Sequence, residues 1–187
     1  MFYKAINDRT KMRLLDQQDS GGLYQLLEGN RNHIRAWHPW VDLIASPAAT
    51  ERLIQNWLQQ FANQRGFFAG IWHDEQLCGV VHHINVDWIN RWTALAYFLD
   101  AGHQGRGIMT QACRAMVEHG FHDWKLNRIT IECATENRRS RAVAERLGFT
   151  LEGVTRQVEW VQNRFVDHAV YGLLKDEYKP SGTAGKG

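Results

Sequence analysis

The stretch Asp100-Ala101-Gly102-His103-Gln104-Gly105-Arg106-Gly107-Ile108-Met109 decides the fold of this chain. It follows a β-rich run that ends at Leu99, and it precedes a segment whose apolar residues recur at helical spacing from Met109 to Phe121. A glycine-rich loop between a strand and a helix can point several backbone N–H groups, and the positive end of the helix, at an anion. The sequence therefore predicts a phosphate-bearing ligand at this loop.

The spacing of the glycines leaves an ordinary turn open as an alternative. Gly105 and Gly107 let the backbone approach a ligand closely, and Arg106 can add a charge-assisted contact, but glycines also serve plain turns. A dinucleotide-binding fingerprint would need a third small residue at Thr110, and the Gly-Lys-Ser/Thr ending of a Walker loop is missing.

Apolar patterns on both sides of the loop predict a mixed α/β (α+β) domain. Ser46-Pro47 is a helix-start signal, Gly148 is placed as a helix stop, and Pro39 predicts a loop around residues 37–40. Strands are predicted at residues 12–15, 67–72, 77–86, 93–99, 129–133, 149–158 and 165–174. Helices are predicted after Gly21, from Ser46 to Asn63, after the glycine loop and around residues 142–147.

Composition favours one domain and excludes several classes of protein. The 187 residues are 44% hydrophobic, enough for one core, which we expect over residues 1–178, with a disordered polar tail at 179–187. Lys plus Arg (22) nearly balances Asp plus Glu (20), so no electrostatic footprint for nucleic acid is present. The sequence shows neither a signal peptide nor a membrane span, and its three cysteines suit reduced, buried thiols; we therefore expect a cytoplasmic protein.

The loop resembles a known family. Gln104-Gly105-Arg106-Gly107-Ile108-Met109 is similar to the Gln/Arg-x-x-Gly-x-Gly/Ala pyrophosphate motif of the GNAT acetyltransferase superfamily. Met109 departs from its last position and resembles instead the Rim-type branch, which acetylates ribosomal-protein N-termini. The resemblance covers residues 12–174, including residues 137–140 and 146–153. It implies a mostly antiparallel sheet of about seven strands, about four flanking helices, acetyl-CoA as co-substrate and no metal.

The same resemblance implies where acetyl-CoA binds. The strand at Tyr97, Phe98 and Leu99 is expected to splay from the strand at residues 129–133, so that the pantetheine arm lies in the opening. Asn137 is expected to contact pantetheine. The pyrophosphate is expected on the backbone of Gln104, Gly105, Arg106, Gly107, Ile108 and Met109.

Acetyl transfer to an amine requires an acceptor for the amine proton, and Glu159 is our candidate. At pH 7 an α-amine of pKa about 7.8 costs about 1.1 kcal/mol to deprotonate, whereas lysine at about 10.4 costs about 4.6 kcal/mol. A carboxylate can therefore serve an α-amine. Alternation puts Glu159 in a late strand, and the resemblance places that strand beside the acceptor; a solvated strand glutamate is the alternative. Glu28 and Asp42 are further candidate carboxylates of the cleft.

Ser140 is our candidate donor to the departing sulfur, since it falls in the first turn of the helix after Asn137. Helix capping is the alternative role. Many members of the superfamily carry a tyrosine general acid four residues later, where this chain has Ala144. Cys133 could form an acetyl-cysteine, although a buried structural cysteine is the default interpretation.

The sequence does not identify the acceptor. Trp37 and Trp40, with His38 between them, could form a wall over the acceptor or simply pack in the core. We expect direct attack by a protein or peptide N-terminal α-amine, as on a ribosomal protein. A small-molecule amine, such as an antibiotic-like compound or polyamine, and a non-catalytic acyl-CoA-binding module are the alternatives. The histidines form no convincing metal set, and a homodimer is a reasonable expectation.

Overall fold

The computed structural model describes residues 3–180, in which eight strands form one sheet. The order across the sheet is β1-β2-β3-β4-β5-β6-β8-β7. Neighbouring strands are antiparallel except for the parallel pair of β5 and β6. The strands are β1 (Tyr3–Asn7), β2 (Thr10–Leu14), β3 (Gly66–His73), β4 (Gln76–Asp87), β5 (Trp92–Leu99), β6 (Arg128–Ala134), β7 (Thr150–Val161) and β8 (Arg164–Leu174).

Five α-helices cover the two faces of this sheet. Residues of the first three pack with Phe68, Trp72 and Val80 in one apolar cluster, and residues of the last two pack in a second, larger cluster. The helices are α1 (Ser20–Gly29), α2 (Arg31–Arg35), α3 (Pro47–Ala62), α4 (Ile108–Glu118) and α5 (Arg138–Arg146). A π-helical turn, His119–Asp123, extends α4.

The mixed α/β fold is confirmed, with three differences in detail. The sheet has eight strands instead of about seven, because β1 is a mostly exposed edge strand whose sequence has no apolar alternation. Residues 3–180 contain five α-helices instead of about four, because the five-residue α2 is too short to show a helical period. Within the predicted loop at residues 37–40, Pro39 starts a short 3-10 helix, Pro39–Leu43.

Local sequence signals set the start of α3 and the end of α5 as predicted. Ser46 Oγ accepts a hydrogen bond from Ala49 N at 3.2 Å, and Pro47 occupies the first turn of α3. Gly148 follows α5 with a φ of +83°, a conformation that only glycine adopts without strain.

The C-terminal prediction can be followed only in part. The tail was predicted over residues 179–187, and residues 181–187 lie outside the described part of the chain. Within residues 3–180, no helix combines the length and apolar composition needed to cross a membrane.

Candidate active site

The sheet opens between its two parallel strands. β5 and β6 pair only through Trp92 with Arg128, Thr93 with Ile129 and Ala94 with Thr130. Beyond these pairs β5 continues against β4 and β6 continues against β8, so the two strands diverge. The divergence expected from the family resemblance is thereby confirmed. It forms a cleft of about 1240 Å³ between the glycine loop, the start of α5 and the end of β7.

The glycine loop presents unpaired donors at one end of this cleft. Gly107 is the residue before α4 and has a φ of +74°, while Gly105 has a φ of +75°. The first bond of α4 runs from Gln111 N to Gly107 O at 3.0 Å, so the N–H groups of the preceding helical residues have no partner within the helix. These donors and the helix dipole fit a pyrophosphate. Met109 is 7% exposed and packs in the core beneath the loop.

A hydrogen-bond network holds the loop against α1. Asn30 Nδ2 donates to Asp100 Oδ2 at 2.7 Å, and Asn30 Oδ1 accepts from Ala101 N at 2.9 Å. Asp100 Oδ1 accepts from Gly102 N at 2.7 Å and lies 2.9 Å from His103 Nδ1. Burial opposes ionisation of Asp100, but the hydrogen bonds from His103, Asn30 and Gly102 together lower its pKa. Sequence analysis missed Asn30, which is 70 residues from its partner.

The Gln104 side chain is already engaged in the mouth of the cleft. Arg139 Nη1 donates to Gln104 Oε1, and Gln104 Nε2 lies 2.6 Å from His33 Nε2. Since a guanidinium only donates, the amide NH₂ faces His33, whose ring nitrogen accepts. Gln104 thus ties α2 to α5. Arg106 is exposed, lies outside the cleft wall and has Asp74 as a charged neighbour.

The N-terminus of α5 forms the second wall of the cleft. Asn137 Oδ1 accepts from Ser140 N at 3.2 Å, so Asn137 caps the helix and the capping role considered for Ser140 is wrong. Ser140 Oγ lies 3.0 Å from the Tyr97 hydroxyl, which reaches it from β5. Tyr97, Ser140 and Asn137 all line the cleft.

Cys133 lies beside Ser140 at the end of β6. Burial is the largest influence on its thiol and raises its pKa, against a smaller lowering by a hydrogen bond with Ser140. A raised pKa leaves less of the nucleophilic thiolate, which favours the structural interpretation of this cysteine. All three cysteines are buried and free.

A carboxylate and two histidines lie at the other end of the cleft. Glu159 Oε2, on β7, is 2.9 Å from His168 Nε2, on β8, and the Glu159 side chain is 35% exposed. Glu159 is thus a partly exposed strand glutamate with a histidine partner in the cleft wall. His38 lines the same wall; burial lowers its pKa, which the nearby Glu159 carboxylate opposes. His168 was not among the predicted site residues, although the hairpin register puts it diagonally across from Glu159.

The two candidate tryptophans have different surroundings. Trp37 lines the cleft and packs against Ala134, Val161 and Val166. Trp40 does not line the cleft; its ring packs edge-on against Phe98, with centroids 5.8 Å apart. Phe98 and Leu99 also line the cleft, although the Phe98 ring is mostly buried in the cluster beneath α1, α2 and α3. Leu99 is buried on the opposite face, with α4.

The other candidate ligands and carboxylates lie away from this arrangement. Glu28 pairs with Arg31 at 2.6 Å and Asp42 with Arg35 at 2.9 Å, and the structure places neither carboxylate in the cleft wall. In the described part of the chain, no three His, Cys, Asp or Glu side chains are grouped so that they could hold a metal ion.

Comparison with known proteins places this geometry in a family. A model of the acetyltransferase (GNAT) domain matches residues 9–150. The putative ribosomal N-acetyltransferase YdaF of Bacillus subtilis (strain 168) is 34% identical over 180 residues, covering 96% of this chain and 98% of that protein. The ribosomal-protein-serine acetyltransferase of Escherichia coli (strain K12) is 31% identical over 156 residues, covering 82% of this chain and 86% of that protein.

A solved structure shows the same fold with the cofactor bound. RimL, a ribosomal L7/L12 alpha-N-protein acetyltransferase, superposes on this chain with a TM-score of 0.90. In that structure coenzyme A is bound through a disulfide to a cysteine of the protein. RimL is 25% identical in sequence, and the match covers 92% of this chain and 98% of that chain.

Proposed function

Because this chain belongs to the GNAT acetyltransferase family, it is an acetyl-CoA-dependent N-acetyltransferase, and we propose that it acetylates the N-terminal α-amine of a protein, such as a ribosomal protein. One observation carries the proposal: a carboxylate, Glu159, is held by His168 in the cleft wall, at the end away from the glycine loop. Relatives named as ribosomal-protein acetyltransferases match this chain over most of its length.

Acetyl-CoA supplies the acetyl group as a thioester, and residues 104–109 would hold its pyrophosphate. The backbone N–H groups at Gly107, Ile108 and Met109 are the donors available for this task. Gln104 would shape the loop, because its side chain is bonded to His33 and Arg139 and its backbone N–H donates to Ala101 O at 3.4 Å.

Asn137 would bind the pantetheine arm. Its Oδ1 already accepts from Ser140 N, which leaves its amide N–H groups for a pantetheine carbonyl. One side chain would thus start α5 and orient the substrate.

Glu159 would accept the proton of the attacking amine. The hydrogen bond with His168 holds the carboxylate in place, and the cost of deprotonating an α-amine at pH 7, about 1.1 kcal/mol, is within reach of a carboxylate base. Trp37 and His38 would exclude water from the acceptor, since both line this end of the cleft. A lysine acceptor would cost about 3.5 kcal/mol more, which favours the α-amine.

Ser140 would donate a hydrogen bond to the departing sulfur at the N-terminus of α5, where the helix dipole also favours negative charge. We propose direct attack by the amine. The raised pKa of Cys133 disfavours an acetyl-cysteine.

We further propose a cytoplasmic, homodimeric enzyme with one catalytic domain at residues 1–178. Acetyl-CoA and ribosomal-protein acceptors are found together in the cytoplasm. The edge strand β7 supports the dimer, since its outward residues include exposed Val154, Val158 and Trp160.

The decisive experiment measures thiol release from acetyl-CoA with a panel of acceptors. The panel contains ribosomal-protein N-terminal peptides, the same peptides with a blocked N-terminus and a free lysine, a polyamine and an amino-nucleotide. We expect turnover with the free N-termini and none with the blocked peptides, with mass spectrometry locating the acetyl group on the α-amine. Turnover confined to the polyamine or the amino-nucleotide would refute the proposed acceptor.

A further inference from the structure

Tyr97 and Ser140 meet across the cleft. Tyr97 lies on β5, where that strand has already diverged from β6, and its hydroxyl lies 3.0 Å from Ser140 Oγ. The same hydroxyl lies 3.1 Å from the carbonyl oxygen of Ser140. The contact joins residues 43 positions apart in the chain, and both residues line the cleft.

The phenol has one hydrogen, and two arrangements satisfy these distances. In the first, Tyr97 donates to the Ser140 carbonyl and the Ser140 hydroxyl donates back to the phenol oxygen. In the second, Tyr97 donates to Ser140 Oγ, and the Ser140 hydrogen is free to point elsewhere. The second arrangement gives up the bond to the carbonyl, but of the two it alone keeps the hydroxyls hydrogen-bonded and leaves Ser140 a donor for a ligand in the cleft.

Negative charge in the cleft selects the second arrangement. A hydroxyl that accepts a hydrogen bond becomes a better donor, because chains of hydrogen bonds polarise one another. The other partner of the Ser140 hydroxyl is the Cys133 thiol, a weak acceptor, which competes poorly with an anionic sulfur. Ala144, one turn further along α5, cannot donate to the sulfur in place of Ser140, because it is fully buried and has no polar side-chain atom.

We propose that Tyr97 is a positioning residue for acetyl transfer: it donates to Ser140 Oγ and thereby turns the Ser140 hydrogen toward the sulfur of the departing coenzyme A. As the C–N bond forms, the C–S bond breaks and its electron pair goes to sulfur, while the amine proton goes to Glu159. The inference rests on the role proposed above for Ser140.

Tyr97 acts as a hydrogen-bond donor and not as the acid. Burial raises the pKa of its phenol well above the ordinary value, so the phenol is less acidic than a thiol, whose ordinary pKa is about 8.5. Net proton transfer from Tyr97 to the thiolate is therefore unfavourable, and the phenol keeps its hydrogen throughout turnover.

The test compares Tyr97→Phe, Ser140→Ala and the double variant with the parent enzyme. Tyr97→Phe removes one oxygen and keeps the ring. We expect kcat to fall about three- to tenfold, the range for one neutral hydrogen bond, with the KM for acetyl-CoA unchanged. In the Ser140→Ala background the same substitution should have no effect, because the group that it positions is gone.

Tyr171→Phe is the matched control. Tyr171 is buried, whereas Tyr97 is partly buried. The Tyr171 hydroxyl also has two polar partners outside the cleft wall: it donates to Glu145 Oε1 at 2.8 Å and accepts from Arg141 Nε at 2.9 Å. Its kcat should equal that of the parent enzyme. Thermal unfolding of each variant identifies any loss that comes from folding.

A second readout does not depend on turnover. The ultraviolet absorbance of the thiolate of bound coenzyme A, followed against pH, gives the pKa of that thiol. Tyr97→Phe should raise this pKa by about 0.5 to 1 unit, the equivalent of a three- to tenfold loss, and Tyr171→Phe should leave it unchanged.

Several outcomes would overturn the inference. An unchanged kcat, an equal loss in the Ser140→Ala background, or an unchanged pKa of the bound thiol would each do so. A raised KM for acetyl-CoA with unchanged kcat would make Tyr97 a binding contact instead. If the parent enzyme acetylated none of the peptides, the proposed acceptor would fail, whereas the thiol titration would still test Tyr97.

Discussion

Glu159 lies in the cleft wall as one half of a hydrogen-bonded pair, and this pairing bears on the role of base that we propose for it. His168 lies on the adjacent strand of the β7–β8 hairpin, with its Nε2 2.9 Å from Glu159 Oε2. One carboxylate oxygen is thereby occupied, and the other remains available to an amine. The pair would therefore fix the orientation of the proposed base before the acceptor binds.

Glu159→Gln, which removes the negative charge and keeps the shape of the side chain, tests the proposed role of Glu159. Glu159→Gln can still accept a hydrogen bond from His168, but it cannot take a proton from an amine. We expect kcat to fall by about 100-fold or more, with the affinity for acetyl-CoA unchanged by calorimetry.

Asp42→Asn is the control for that experiment, because the structure places Asp42 in an ion pair with Arg35, away from the cleft wall. Its turnover should match that of the parent enzyme. Turnover of Glu159→Gln equal to the parent at every pH would exclude Glu159 as the base.

At the scale of elements, the site depends on the place where β5 and β6 part. Three residue pairs hold these strands together, and each strand then follows its other neighbour. The gap leaves β5 side chains free to reach α5, as Tyr97 does. The glycine loop lies between β5 and α4. The strand that diverges from β6 therefore also leads into the loop whose N–H groups face the cleft.

A buried histidine, His83, lies on β4 where α4 packs against that strand. His83 is fully buried, its Nε2 donates to the Met116 carbonyl at 3.0 Å, and its Nδ1 has no partner among the described residues. Burial is the largest influence and lowers the pKa of His83 to about 3, with a smaller lowering from His119.

This shift predicts acid sensitivity of the fold. Histidine in the unfolded chain takes up a proton below about pH 6.5, whereas folded His83 stays neutral down to about pH 3. The unfolded state therefore binds more protons in this window, and stability falls as the pH falls through it. The contribution of one such group is at most about 1.4 kcal/mol per pH unit.

Urea unfolding checks this prediction with His83→Gln and the exposed control His122→Gln. Between about pH 6.5 and 5, the loss of unfolding free energy should be about 1.6 kcal/mol smaller in His83→Gln than in the parent. The His122→Gln variant should follow the parent. An unaltered pH dependence in His83→Gln would show that His83 does not carry the effect.

At the scale of the whole molecule, the two ends of the sheet differ in chemistry. At the β1 edge, Lys4 pairs with Glu118. The β7 edge is twelve residues long, and every residue in it except Glu159 and Val161 is exposed. A long exposed edge with apolar side chains pairs readily with another chain, and a second copy always presents a matching surface.

We therefore expect sedimentation to give the mass of a dimer. Val154, which is 52% exposed on β7, is the position for disruption, and Val154→Lys should give a monomer because two like charges would face each other. Ile89, 93% exposed in the turn between β4 and β5, provides the control, and Ile89→Lys should remain a dimer. A parent enzyme that sediments as a monomer would refute the dimer.

The sequence by itself determined the features that depend on neighbouring residues. Gly107 and Gly148 adopt positive φ values at a helix start and a helix end, as their positions in the sequence predict. Ser46 caps α3, and the periodicity of apolar residues located every strand but β1 and every α-helix but α2, because burial of one face enforces that period. The glycine loop was also predicted locally, from its glycines and from its position between a strand and a helix.

Only the tertiary structure decided which distant groups meet. Asn30 and Asp100, Tyr97 and Ser140, and His33 and Gln104 come together through sheet order and helix docking. These arrangements depend on the packing of the whole core, which no local pattern records. The same packing places the Trp40 ring against Phe98, outside the cleft wall. The sequence located the glycine loop. Packing brought together the groups around it, because their contacts join residues 43 to 71 positions apart in the chain.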